Sequence, residues 1–176
     1  MLFGSKVDGV FKYGVVSDYI YVIIGELVPG NRRSENLIVK LIEDHKDMFK
    51  NYEYVVIDSP PGTGVGLYSI LRYSSHVIAV TEPTPLGVND LSKFLMLVSK
   101  YGGDHMKVLV VINKYGIPGN SYEELRRVIK SKGLNSVEIP YSDDVFRSYL
   151  MGKPLIEVYQ QSDVVKKLRK IIEFIK

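Results

Sequence analysis

Asp58 closes the apolar run Tyr54-Val55-Val56-Ile57, and the chain then turns through Pro60-Pro61-Gly62-Thr63-Gly64. A carboxylate at a strand end can hold a Mg²⁺-bound water beside a nucleotide, because Mg²⁺ keeps several waters and often takes one or two carboxylates. Pro60 and Pro61 stiffen the exit, and Gly62 and Gly64 let backbone N–H groups approach a phosphate. An aspartate in this place can equally cap the next helix. The spacing Gly62-Thr63-Gly64-Val65-Gly66 is not the G-x-G-x-x-G of a dinucleotide fold.

Asn113 follows another apolar run and precedes Lys114. Its amide offers both a donor and an acceptor, the pair that a purine edge presents, and it can equally shape the turn. Glu82 and Asp143 are candidate acid–base groups, but nothing pairs either with a nucleophile, and loop structure or helix capping accounts for both. The absence of cysteine excludes disulfides, iron–sulfur ligation and thiol catalysis within the sequence. His45, His76 and His105 share no metal-ligand spacing.

The elements that must position these groups follow from periodicity. Residues 35–50 carry Leu37, Ile38, Leu41, Ile42 and Phe49 at helical spacing. Tyr54–Ile57 then reads as a buried parallel strand. A helix is expected to about Tyr73, a strand at His76–Val80, an exit loop at Thr81–Pro85, and a helix over Asn89–Lys100. A strand at Lys107–Ile112 follows, then a helix opened by a Ser121/Glu124 capping box. A strand at Ser136–Ile139 and helices near 142–151 and 161–175 complete the pattern. Residues 9–13 and 19–24 read instead as a hairpin.

Alternation at this spacing predicts an α/β fold, a mostly parallel sheet with helices on both faces, built as one domain over residues 1–176. Ligands of such sheets bind beyond the carboxyl ends of the strands. Asp58–Gly66, Thr81–Pro85, Asn113–Gly116 and Pro140–Asp144 all fall there.

The charge balance of 23 basic against 20 acidic residues gives +3, too small and too scattered to indicate a nucleic-acid partner. Lys166, Lys167, Arg169 and Lys170 read as a solvated helix face. No apolar run reaches the roughly 18 residues of a membrane span, and a soluble cytoplasmic protein is the expectation. Leu168, Ile171, Ile172, Phe174 and Ile175 give the last helix an apolar side that suits packing on the sheet or, less well, a membrane surface.

These motifs resemble those of the MinD, ParA and Mrp nucleotide-binding family over about residues 25–176, in the family's order. Tyr54–Gly64 resembles its Walker B and switch II segment. Val80–Leu91 resembles the next strand and loop, above all in archaeal MinD-like ATPases that carry an inserted ferredoxin module. Val111-Ile112-Asn113-Lys114 resembles the base-contacting strand end. Ile139–Val145, followed by Gly152-Lys153-Pro154-Leu155, resembles the final strand, loop and helix.

The resemblance implies a P-loop NTPase-like fold with ATP or ADP and Mg²⁺ at a dimer interface. It puts Asp58 in the Mg²⁺ shell, Gly62 and Gly64 near the γ-phosphate, and Asn113, Pro140 and Tyr141 near adenine. The family's opening strand and its K-G-G-x-G-K-[ST] loop have no counterpart in these residues. Gly30-Asn31-Arg32-Arg33-Ser34 is the nearest mimic, at the wrong spacing and position. The ferredoxin cysteines are absent as well. ATP hydrolysis by this chain alone is therefore not expected. A degenerate protein-interaction module, or a half completed in trans by a chain bearing the P-loop, are the alternatives.

By the same resemblance, the missing strand lies between the Asp58 strand and the His76–Val80 strand. An empty slot there would expose unpaired backbone. Residues 1–30, closure of the sheet, or a second chain are the three expected ways of filling it.

Overall fold

The computed structural model describes residues 8–31, 34–60, 64–103, 105–117 and 121–176. They belong to two compact units, Met1–Tyr73 and Ser74–Lys176.

In the first unit, strands β1 (Gly9–Ser17) and β2 (Ile20–Leu27) form the expected hairpin, antiparallel and turning at Asp18-Tyr19. Helix α1 (Ser34–His45) packs on one hairpin face. A Cβ built on Gly25 would stand 3.1 Å from the Leu41 side chain, so bare backbone there lets the helix approach β2 closely. His45 is buried and structural. Its Nδ1 lies 2.7 Å from the Leu41 carbonyl, to which it donates, leaving Nε2 to accept from the Tyr13 hydroxyl at 2.9 Å. Phe11 packs edge-on against the same ring. A single 3₁₀ turn, Met48–Asn51, follows α1, and α2 spans Val65–Tyr73.

The strand expected at Tyr54–Ile57 does not form. Residues 52–60 carry no helix or strand, and Val56 is 86% exposed. An apolar run becomes a buried parallel strand only where neighbours bond both its edges, and none among the described residues does so.

The second unit is a parallel sheet of β3 (His76–Thr81), β4 (Lys107–Tyr115) and β5 (Asn135–Pro140), in that order. Helix α3 (Pro85–Tyr101) crosses from β3 to β4, and α4 (Tyr122–Ser131) from β4 to β5. Short helices α5 (Asp143–Leu150) and α6 (Leu155–Val158) lead to α7 (Asp163–Ile175).

β4 is apolar on both faces because both are covered. Val110 and Ile112 meet Leu91 and Leu95 of α3 and Leu125 and Ile129 of α4. Leu109 and Val111 meet Val164 and Ile171 of α7. Each such side chain contributes roughly 2 kcal/mol on burial. Ile171 and Phe174 of the apolar side of α7 pack on the sheet, whereas Leu168 and Ile172 are exposed. Among the described residues, no helix is long and apolar enough to cross a membrane.

Two local expectations are corrected. The exit loop is shorter than expected: Thr81 ends β3, Pro85 opens α3, and the Thr84 hydroxyl caps that helix by accepting from the Gly87 N–H at 3.0 Å. The Ser121/Glu124 capping box does not form. Ser121 has helical angles (φ −94°, ψ −2°) and makes no side-chain cap bond, whereas a capping serine needs an extended backbone.

Neither intramolecular filling of the slot beside β3 is realised. Among the described residues β1 and β2 pair with each other and β3 is an edge strand. Ile78 and Val80 on β3 are exposed, Val80 at 64%.

Candidate functional site

The special residues of the second unit converge where β4 and β5 end. The β4–β5 register shifts between Ile112 and Tyr115, leaving Asn113 and Lys114 in a bulge. Lys114 has φ 54°, the left-handed region that a residue with a side chain enters at a cost. Beyond the bulge Tyr115 pairs with Pro140, and the Tyr141 N–H donates to the Tyr115 carbonyl at 2.9 Å. Asn113, Pro140 and Tyr141 are thus brought to one end of one sheet. Asn113 is half-buried, and the Tyr141 side chain is 58% exposed. The amide can both donate and accept, and the exposed ring offers an aromatic face.

Side chains that local sequence patterns do not reveal support this end. Lys114 pairs with Glu82 at 2.7 Å, tying the exit of β3 to that of β4. Glu82 therefore serves loop structure. Asp143 lies in the first turn of α5, where Ser142 caps by accepting from the Asp144 N–H at 3.2 Å. The Tyr115 ring packs on Tyr122, with centroids 4.9 Å apart. The Tyr122 hydroxyl donates to the Glu138 carboxylate, and Arg126 lies over the Tyr122 ring. Burial, then the bond to Glu138, push the Tyr122 hydroxyl well above the usual tyrosine range.

The first unit holds the other expected residues. Asp58 is exposed on the extended segment. Among the described residues no group of three His, Cys, Asp or Glu could hold a metal ion. A protein-caged metal would need such a group, whereas a Mg²⁺ ion that keeps its waters needs only one or two carboxylates. Gly62, with Pro61 and Thr63, lies outside the described residues, as do Arg32 and Arg33 of the Gly30–Ser34 mimic.

Gly64 is exposed just before α2, but the carboxylate of Glu35 occupies the space that a Cβ on Gly64 would fill. A phosphate approaching Gly64 must first displace a negative charge. Gly64 as it stands therefore disfavours an anion.

No family model matches the sequence. MinD of Escherichia coli strain K12 is 26% identical over 178 residues, covering 81% of this chain and 64% of its own length. An uncharacterized ATP-binding protein of Methanocaldococcus jannaschii is 29% identical over 133 residues, covering 72% of this chain and 50% of its own. The cell-division ATPase MinD of Pyrococcus furiosus superposes with a TM-score of 0.68 at 22% identity, over 93% of this chain and 69% of that one.

The chain is similar in sequence to MinD-type proteins and in fold to the MinD and ParA ATPases.

A ParA-family ATPase of Chlorobium tepidum shares the fold at a TM-score of 0.64 and 17% identity, over 88% of this chain and 63% of that one. MinD of Pyrococcus horikoshii, solved with Mg-ADP, superposes at 0.58 and 22% identity over 74% and 53%. The chain spans between 39% and 64% of the length of the curated MinD-type and uncharacterized relatives that it matches. The parallel sheet with helices on both faces therefore has the MinD/ParA fold.

Proposed function

We propose that this chain is the base-binding and Mg²⁺-side part of an ATP- or ADP-binding domain of MinD/ParA type. Its phosphate-gripping strand and loop come from a polypeptide segment outside these 176 residues. The observation that carries the reading is the joint placement of Asn113, Pro140 and Tyr141 at the ends of β4 and β5. The edge position of β3 supports it, because a parallel strand added there would find free backbone partners and the exposed Val80. A MinD relative solved with Mg-ADP supports the choice of ligand.

In this reading Asn113 contacts the base, Pro140 and Tyr141 shape its seat, and Asp58 orients a Mg²⁺-bound water. Gly62 and Gly64 approach the terminal phosphate once Glu35 has swung away. Phosphoryl transfer depends on positioning and charge stabilisation, so a chain without the loop's lysine and amides does not hydrolyse ATP alone. A partner chain bearing that strand and loop would complete the site.

Anisotropy of a fluorescent ATP analogue, with and without Mg²⁺, tests the proposal. The chain alone should show no saturable binding up to millimolar nucleotide. Adding the amino-terminal strand–loop–helix of a MinD ATPase should restore binding that Asp58→Asn makes Mg²⁺-independent and Asn113→Ala weakens. Saturable binding by the chain alone would show that its own residues cradle the phosphates.

A second reading, a protein-interaction module that has abandoned nucleotide, is favoured by the Glu35 carboxylate at Gly64. It is the outcome if the added segment restores nothing.

A further inference from the structure

Helix α5 is inside out. At 100° per residue, Val145, Phe146, Tyr149 and Leu150 form one continuous stripe. An amphipathic helix buries such a stripe, yet here all four side chains are exposed, Phe146 at 59% and Tyr149 at 81%, and the buried residue is Ser148. Met151 just beyond the helix and Ile156 on the adjoining α6 are exposed as well. A monomeric surface has little reason to gather six large apolar side chains around a helix of two turns.

We infer that α5 is the face through which two copies of this chain associate, without nucleotide. Two features select a second copy as the occupant. The six side chains present on the order of 700 Å², close to the roughly 800 Å² that each partner contributes to an interface of standard size. The stripe is also flanked on one side by Asp143 and Arg147, opposite charges one helical turn apart. Two such helices packed antiparallel about a two-fold axis bring each Asp143 beside the other copy's Arg147, so the face is complementary to itself in shape, apolarity and charge. This association does not depend on the nucleotide reading above.

Sedimentation velocity on the full chain without nucleotide, from about 1 to about 100 µM, is the test. The expected result is a concentration-dependent dimer whose midpoint rises by at least about tenfold in Phe146→Asp and in Tyr149→Asp. Circular dichroism and the urea midpoint should stay unchanged. Tyr149 carries the test if Phe146→Asp fails to fold, since its exposed ring contributes little to the monomer. Asp143→Arg should weaken the dimer, and adding Arg147→Asp should restore it. A wild-type chain that stays monomeric throughout overturns the inference and leaves α5 to a different protein. So does a dimer that both α5 variants leave intact and Val80→Lys at the sheet edge dissolves.

Discussion

The ammonium of Lys114 lies 2.7 Å from a carboxylate oxygen of Glu82, joining the exits of two parallel strands. Both side chains are about half exposed, so the pair contributes at most about 0.5 kcal/mol. The left-handed backbone at Lys114 costs about 1 kcal/mol for any residue with a Cβ. Glycine there loses the weaker term and relieves the stronger one. Lys114→Gly should therefore unfold at a higher urea concentration than Lys114→Ala, by the equivalent of about 1 kcal/mol. The reverse order would mean that the bulge is not strained.

Gly87 in the first turn of α3 and Gly64 just before α2 should respond to alanine very differently. A Cβ on Gly87 would run into the Glu82 carbonyl and stand 2.9 Å from the Thr81 hydroxyl, both held by backbone. Gly87→Ala should cost about 2 kcal/mol or more in urea denaturation, despite alanine's better helix propensity. A Cβ on Gly64 meets only the far end of the Glu35 side chain, which can swing away. Gly64→Ala should stay within about 1 kcal/mol of wild type.

Alkaline pH should expose the Tyr122–Glu138 bond. Burial, and then the bond to the Glu138 carboxylate, hold the Tyr122 hydroxyl neutral in the fold above its ordinary range. The unfolded chain ionises the same hydroxyl near pH 10, so the stabilisation is complete below about pH 10 and is lost as the pH rises from there toward the folded value. The wild-type urea midpoint should fall more steeply above pH ~10 than that of Tyr122→Phe. At neutral pH the phenylalanine variant should be less stable by about 1–2 kcal/mol, because the Glu138 oxygen loses its donor.

The extended segment 52–60 should be the first target of chymotrypsin. Its backbone is tied into no helix or strand, and Tyr52, Tyr54 and Val56 are exposed. Mass spectrometry of an early digest should find cuts after Tyr52 or Tyr54 before any within β4. Protection of these sites on adding a strand–loop–helix segment would indicate that the segment pairs with it.

Periodicity carried most of the second unit. β4 is apolar at every position from Val108 to Ile112 because both its faces are covered, and α3 shows Val88, Leu91, Leu95 and Val98 on one side. The same reasoning failed at Tyr54–Ile57, since an apolar run says what a strand would bury and not whether a neighbour exists to bond it. Ser121 and Glu124 have the spacing of a capping box, but whether it forms depends on the angle at which the preceding loop arrives.

The place of Asn113, Pro140 and Tyr141 near strand ends was legible from the apolar runs before them. The support from Tyr122 to Glu138 spans 16 residues and two elements, so no local pattern could reveal it. In α5 it is the structure that shows the apolar stripe facing outward.

β3 bears on how this protein must be handled. Edge strands that persist in solution usually carry a proline, a bulge or an inward-pointing charge that spoils them as templates. His76-Val77-Ile78-Ala79-Val80-Thr81 has none of these, and its register with β4 runs without a break. Any extended apolar segment can pair with it, including Tyr54–Ile57 of another molecule. Concentrated stocks should therefore form aggregates rich in intermolecular β-structure on standing, and a single lysine at Val80 should lengthen their shelf life.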